Sequence, residues 1–144
     1  MVSALNNLLQ TVYIFTFESI NKWTFMILIV DDSATNLVLL EVILREEGYE
    51  TISALNVKEA FKQMKSNKPE LILLDLMMPE VSGFDFLKEL KNNPETSNVP
   101  VIVITAVDSK ENQDICFKNG AAEFFTKPID IHLFLQKVKL YAVH

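Results

Sequence analysis

The most constraining feature of the sequence is a set of short apolar runs that alternate with amphipathic segments of helical period. Runs that are apolar throughout are typical of strands buried on both faces of a parallel sheet, because a half-exposed strand would alternate apolar and polar residues. Three such runs are Met26–Val30, Leu71–Leu74 and Val101–Ile104, and Glu50–Ala54 and Glu123–Thr126 are weaker strands.

Helical segments follow the strands. Leu37, Leu40 and Leu44 recur at helical spacing, and Gly48 follows them as a stop signal. Asn56 with Glu59 resembles a capping box at the start of the next helix. Further helices are predicted from Gly83, over Ser109–Asn119 with Gly120 as C-terminal cap, and over about Ile131–Val143.

Five strand–helix repeats predict an α/β fold, a doubly wound five-stranded parallel sheet with helices on both faces. Right-handed crossovers bring the carboxyl ends of all the strands to one edge, where such sheets bind ligands. The 144 residues suit one domain and a short additional segment. We therefore predict a domain over residues 26–144 and an N-terminal extension of uncertain structure over residues 1–25.

Polar residues are concentrated where the strands end. Neighbouring carboxylates repel one another, and a hard divalent cation with oxygen ligands relieves that repulsion. A carboxylate that attacks phosphorus forms an acyl phosphate, for which Asp75 on the central strand is the natural nucleophile. A hydroxyl, a backbone N–H and an ammonium can bind the other phosphoryl oxygens. These groups are Asp31 and Asp32 after the first strand, Asp75 after the third, Thr105 and Ala106 after the fourth, and Lys127 after the fifth.

Four motifs, ILIVDDS, LILLDLMMP, VIVITA and FFTKP, resemble those of the response-regulator receiver family of two-component signalling and phosphorelays. The resemblance covers Met26 to His144 in motif spacing as well as content. It implies a flavodoxin-like sheet with strand order 2-1-3-4-5, and a switch in which Asp75 is phosphorylated with Mg²⁺ (or Mn²⁺) as cofactor. The implied metal ligands are Asp31, Asp32, Asp75 and the backbone carbonyl of Met77.

The resemblance also implies how the phosphoryl group is sensed. Thr105 is expected to contact the group and move toward it, and Lys127 is expected to pair with it. The peptide bond from Lys127 to Pro128 is expected to be cis. Phe124 lies at the aromatic switch position of the family, without the hydroxyl of a tyrosine, so its switching rests on packing alone. The alternative interpretation is that Phe124 is an ordinary core aromatic residue.

Two positions bear on the lifetime of the phosphorylated form. Met77 lies two residues after Asp75, and Val107 lies two residues after Thr105. Both side chains are apolar, so neither orients a hydrolytic water, and we predict slow self-dephosphorylation. The alternative is that they only seal the edge of the core.

The resemblance implies a sensor histidine kinase or a histidine phosphotransfer protein as phosphoryl donor, and a downstream protein as target. Because the chain ends with the last helix of the repeat, we expect a stand-alone receiver without an output domain. The net charge of −6 and the pI of about 4.9 argue against direct nucleic-acid binding. No apolar run is long enough to span a membrane, and the single cysteine fits a reducing, cytoplasmic setting.

Other functions are less consistent with the sequence. An aspartyl phosphohydrolase usually has a second Asp two residues after the nucleophile, where this chain has Met77. A receiver that only docks partners has no need of the complete set of acids, hydroxyl and lysine. A flavin-binding domain of this topology needs a Ser/Thr-rich phosphate loop after the first strand, where Asp31 and Asp32 would repel a phosphate.

The N-terminal extension has two interpretations. Its apolar residues recur at helical spacing, which indicates an amphipathic helix that packs on the domain, pairs two chains into a homodimer or binds a partner. Alternatively, the start codon is wrongly assigned and Met26, directly before the first strand, is the natural start. The apolar residues are Leu5, Leu8, Leu9, Val12 and Tyr13.

Overall fold

A computed structural model describes residues 1–20 and 24–142, and within these it contains five strands and six helices. The strands are β1 Met26–Val30, β2 Glu50–Ala54, β3 Leu71–Leu74, β4 Val101–Thr105 and β5 Glu123–Thr126. The helices are α1 Val2–Ile20, α2 Ala34–Glu46, α3 Val57–Ser66, α4 Gly83–Asn92, α5 Lys110–Lys118 and α6 Ile131–Ala142.

The strands form one parallel sheet in the order β2-β1-β3-β4-β5, which confirms the predicted fold class and strand order. The order reverses between β1 and β3, the two central strands that precede the acidic residues. Their register pairs Val30 with Leu74, so the residues that follow each strand lie side by side.

The sheet is buried on both faces, because successive side chains of each strand enter two different apolar layers. One layer lies under α3, α4 and α5, and the other lies under α2 and α6. The first contains Leu28, Val30, Ile72, Leu74, Val101, Val103, Phe86 and Leu87. The second contains Ile27, Ile29, Leu71, Leu73, Ile102, Ile104, Leu40 and Phe134.

Local signals in the sequence fix the helix ends. The side chain of Asn56 accepts a hydrogen bond from the backbone N–H of Glu59 at 2.8 Å. The Glu59 carboxylate in turn accepts from the backbone N–H of Leu55 at 3.1 Å, one residue before the position that a capping box uses. Gly48 and Gly120 follow α2 and α5 with φ of 91° and 97°, a conformation that favours glycine.

Helix α1 lies within the N-terminal extension, and the side chains of residues 1–14 are all exposed. Phe25, placed in the extension by the sequence, is instead 7% exposed and packs edge-to-face on Tyr49. The predicted end of the last helix at Val143 lies outside the described residues, as does His144. In the part of the chain that the structure describes, no helix is both long and apolar enough to cross a membrane.

Candidate functional site

Two buried carboxylates lie side by side at the carboxyl edge of the sheet. The backbone N–H of Asp75 donates to the carbonyl of Val30 at 2.9 Å, and the N–H of Asp31 donates to the carbonyl of Ala54 at 3.1 Å. These bonds continue the β3–β1–β2 ladder for one residue beyond the strands. Asp31 and Asp75 are 3% and 7% exposed, so the ladder holds both acids at a fixed, largely dry position.

A third acid completes the group. Asp32 is exposed, and oxygen atoms of Asp31, Asp32 and Asp75 all lie within 4.8 Å of one another. Oxygen ligands at this spacing, open to solvent through Asp32, suit a hard divalent cation that keeps several of its waters. These three residues could hold such a cation. The sequence predicted all three, and the structure brings them together.

The Lys127 ammonium lies between the two buried acids. Thr105 pairs with Thr126 across β4 and β5, and the next backbone N–H, that of Lys127, donates to the Thr105 carbonyl at 2.9 Å. The Lys127 ammonium then reaches Asp31 Oδ2 at 2.8 Å and Asp75 Oδ2 at 3.1 Å. The peptide bond from Lys127 to Pro128 is cis, as expected.

The charges around Lys127 explain why its side chain is protonated. Burial lowers the pKa of Lys127, but hydrogen bonds and charges from Asp31 and Asp75 outweigh burial, so the pKa is raised above its ordinary value. Lys127 is therefore a cation at neutral pH. Three carboxylates still face one ammonium, and this excess of negative charge favours a divalent cation.

The other predicted contacts lie on the loops after β3 and β4. The backbone N–H of Met77 donates to Asp75 Oδ1 at 3.1 Å. Thr105 is fully buried, and its hydroxyl accepts from the backbone N–H of Val107 at 3.4 Å. Ala106 is exposed at the carboxyl end of β4, and Val107 is half-buried. Met77 is 57% exposed, so its side chain does not seal the core edge.

The two adjacent phenylalanines of β5 have different surroundings. Phe125 is buried in the α2/α6 layer, edge-to-face with Phe134. Phe124 is half-buried against the opposite layer and pairs with Val103 across β4. Because side chains alternate along a strand, Thr105 lies on the same face of the sheet as Val103 and Phe124. Of the two rings, Phe124 is therefore on the side of the threonine.

Three residues near the acids were not assigned to the site from the sequence. The backbone N–H of Ser33 donates to Asp31 Oδ1 at 2.9 Å, and the side-chain amide of Asn36 donates to Asp31 Oδ2 at 3.3 Å. Gly83 packs so closely that a Cβ there would lie 2.4 Å from the Asp75 carbonyl oxygen. The scarcity of glycine, three in 144 residues, was the available signal for Gly83. No sequence pattern indicated that Asn36 would contact the acids.

Comparison with known proteins finds response regulators as relatives of this chain. The response regulator receiver domain family matches residues 27–139. The chain is 35% identical over 115 residues to the polar-differentiation response regulator DivK of Brucella anthropi, covering 80% of this chain and 94% of DivK. It is 39% identical over 113 residues to the response regulator PleD of Caulobacter vibrioides, covering 78% of this chain but only 25% of PleD.

Solved structures show the same architecture. The signal receiver domain of a signal transduction histidine kinase from Syntrophus aciditrophicus is 34% identical, with a TM-score of 0.75, and the match covers 82% of this chain and 89% of that one. The receiver domain of the Francisella response regulator 1452 is 31% identical, with a TM-score of 0.74, over 81% of this chain and 94% of that one. Sequence, fold and relatives agree, and the chain belongs to the response regulator receiver domain family, the signalling switches of two-component systems.

Proposed function

We propose that this receiver accepts a phosphoryl group on Asp75 from a phosphohistidine of a sensor histidine kinase or a histidine phosphotransfer protein. The observation that carries the proposal is the pairing of one ammonium with two buried acids at the sheet edge. Lys127 donates to both Asp31 and Asp75, and Asp32 lies beside them. A nucleophile, a cation site and a phosphate-binding ammonium are thus available within one small volume.

The proposed reaction is a transfer between two phosphoryl bonds. A carboxylate oxygen of Asp75 forms the new bond to phosphorus while the bond from phosphorus to the donor histidine nitrogen breaks, and the electron pair of that bond stays on the nitrogen. With a proton on the other ring nitrogen of the donor, the products are an acyl phosphate and a neutral imidazole. Lys127, the Thr105 hydroxyl and the Ala106 backbone N–H bind the phosphoryl oxygens. Bound Mg²⁺ or Mn²⁺ offsets the charge of the incoming phosphoryl group.

The proposed holders of that cation are the three carboxylates and the backbone carbonyl of Met77. Asp31 is fixed on the sheet ladder and Asp32 faces solvent, so one ligand is rigid and the other open to hydrated ions. Asp75 serves both as ligand and as nucleophile. The chemistry of this donor set, oxygen atoms only, is that of a hard cation.

The proposed output is a change in a protein-binding surface formed by α5, β5 and α6. Thr105 moves toward the phosphoryl oxygens, which leaves space on its face of the sheet, and the half-buried ring of Phe124 follows by repacking. Phe124 has no hydroxyl, so the energy of the switch comes from apolar contact alone. A downstream protein that recognises this surface then reads the phosphorylated state.

Intact-mass spectrometry after incubation with Mg²⁺ and acetyl phosphate tests the acceptor. We expect the wild-type chain to gain one phosphoryl group and Asp75→Asn to gain none. Asp85→Asn is the matched control, because Asp85 is an exposed acid in α4 that contacts Ser82 rather than the site. A gain in Asp75→Asn equal to that of wild type would assign the acceptor elsewhere. No gain in any variant that still binds Mg²⁺ would favour a module that only docks partners.

A further inference from the structure

The carboxylate of Asp31 has a neutral hydrogen-bond donor that none of the roles above uses. The Asn36 side-chain amide donates to Asp31 Oδ2 at 3.3 Å, and the Lys127 ammonium donates to the same oxygen at 2.8 Å. The backbone N–H of Ser33 donates to the other oxygen, Oδ1, at 2.9 Å. Each oxygen of this buried acid therefore has a donor from the α2 N-terminal turn.

Phosphorylation of Asp75 is expected to affect the two donors to Asp31 Oδ2, Lys127 and Asn36, differently. In the proposed function, a phosphoryl group on Asp75 would attract the Lys127 ammonium away from Asp31 Oδ2. A buried carboxylate oxygen that loses its donor carries a desolvation cost. Asn36 lies on α2 and carries no charge that a phosphoryl group would attract, so we expect its bond to Asp31 Oδ2 to persist in both states.

We propose that Asn36 is a positioning residue for the metal site. It holds the Asp31 carboxylate in one orientation for the cation, and it keeps Oδ2 hydrogen-bonded when Lys127 turns to the phosphoryl group. This inference rests on the proposed function for the movement of Lys127, whereas the orientation of Asp31 rests on the hydrogen bonds alone. Hydrogen-bond partners of metal ligands commonly change metal affinity about 10–100-fold when they are removed.

Asn112 is a matched control for Asn36, because the two residues occupy the same position in a serine-capped helix. Ser33 caps α2 by accepting from the backbone N–H of Asn36 at 3.3 Å, and Ser109 caps α5 by accepting from the N–H of Asn112 at 3.1 Å. Both asparagines are half-buried and occupy the same helical position. The Asn112 side chain has no hydrogen-bond partner among residues 1–20 and 24–142, so only Asn36 combines this position with a contact to the acids.

The experiment measures metal affinity in the unphosphorylated full chain. Mn²⁺ binding is followed by electron paramagnetic resonance, and Mg²⁺ binding by competition, for wild type, Asn36→Leu, Asn36→Ala and Asn112→Leu. We expect both Asn36 variants to bind Mn²⁺ about tenfold more weakly, and Asn112→Leu to bind it as wild type does. Thermal unfolding in a chelator checks that each variant is folded, because a purely structural role would lower stability without a selective loss of affinity.

Three results would overturn the role of Asn36: affinity within twofold of wild type in both Asn36 variants, an equal loss in Asn112→Leu, or no Mn²⁺ binding by wild type. The proposed function is judged separately, by acetyl phosphate at saturating Mg²⁺. There we expect wild type and Asn112→Leu to gain a phosphoryl group. If wild type binds Mn²⁺ with the expected dependence on Asn36 but gains no phosphoryl group, only the proposed function fails.

Discussion

Lys127 is the residue on which the unphosphorylated site depends. Its side chain is 24% exposed, and the two acids that it joins are nearly buried. Two buried carboxylates close together would repel each other strongly without a cation between them. The ammonium supplies that cation in the resting protein. We propose that a divalent ion later competes with Lys127 for the carboxylates, and that a phosphoryl group competes with the carboxylates for Lys127.

Replacing Lys127 by Met should therefore make stability depend on divalent metal. Without metal, we expect Lys127→Met to lose ~2 kcal/mol of unfolding free energy, since its partial exposure moderates the cost of breaking the pair. Saturating Mg²⁺ should recover much of that loss and stabilise the variant more than wild type. Urea unfolding with chelator and with Mg²⁺ measures both effects. Lys137→Met, which breaks the more exposed pair with Glu123, should show no such metal dependence.

The raised pKa of Lys127 predicts a pH dependence of stability. A cationic group with a raised folded-state pKa stabilises the fold fully below its unfolded pKa of 10.5, and this contribution is lost as pH rises through the folded pKa. In chelator, the unfolding free energy of wild type minus that of Lys127→Met should be constant from pH 8 to about 10 and then shrink. A difference that grows at high pH would contradict the assigned origin of the shift.

Met77 and Val107 are proposed to lengthen the phosphorylated state because neither can hold the attacking water. The double change Met77→Asn and Val107→Glu adds groups that can orient it, and one added hydrogen bond of ~1 kcal/mol corresponds to about fivefold faster loss of phosphate. Decay after donor removal, followed by intact mass, measures the rate. Val81→Asn is the control, because Val81 is also exposed on the loop after β3. An unchanged rate in the double variant would refute the role of both positions.

At the scale of elements, α4 is positioned by its close contact with the end of β3. The backbone N–H of Gly83 donates to the Leu76 carbonyl at 3.0 Å, and Ser82 caps the helix by accepting from the N–H of Asp85. A Cβ at Gly83 would lie 2.5 Å from the Leu76 Cα. The fold of the loop after Asp75 thus depends on the absence of a side chain at the start of α4.

Gly83→Ala should consequently destabilise the protein and disturb the site together. We expect a loss of ~2–3 kcal/mol, because the clash is with backbone atoms that cannot move aside cheaply, and slower phosphorylation of Asp75. Gly48→Ala is the comparison: a Cβ there meets nothing within 4 Å, so only its positive φ of 91° contributes, at about 1 kcal/mol. Urea unfolding ranks the two, and the reverse order would contradict the packing argument.

At the scale of the whole molecule, the first fourteen residues do not enter the two apolar layers around the sheet. The side chains of residues 1–14 are exposed, whereas Phe25 packs in the α2/α6 layer. Because Phe25 is part of this core, we expect the N-terminal boundary of the stably folded domain to lie before Phe25. The division at residue 26 stays a prediction, as does the pairing of two chains through α1.

Two truncations separate these parts. Removal of residues 1–14 should change the unfolding free energy by no more than about 0.5 kcal/mol, because all of these side chains are exposed. Removal of residues 1–25 also deletes the buried Phe25 and should cost ~3 kcal/mol. Urea unfolding measures stability, and light scattering on the same samples measures molar mass. A full-length chain with the molar mass of a dimer, together with monomer masses for both truncations, would show that α1 pairs two chains.

The sequence alone determined the fold class, the strand order with the family resemblance, and the acids, hydroxyl and lysine at the strand ends. These features follow from short-range patterns: buried parallel strands are apolar throughout, and polar residues begin where the strands end. Helix caps such as Asn56 and Gly120 were predictable for the same reason, because a cap involves residues only a few positions apart.

Tertiary structure decided which partners each acid acquires. Lys127 and Asp31 are 96 residues apart in sequence, and whether the ammonium bridges two acids or faces solvent depends on the strand register and the β5–α6 loop. The donation from Asn36 to Asp31, the approach of Gly83 to Asp75 and the exposure of Met77 likewise depend on how loops return to the sheet edge. No periodic pattern predicts these contacts, because each depends on how a strand end, its loop and the neighbouring helix pack at the sheet edge and not on helical or strand spacing.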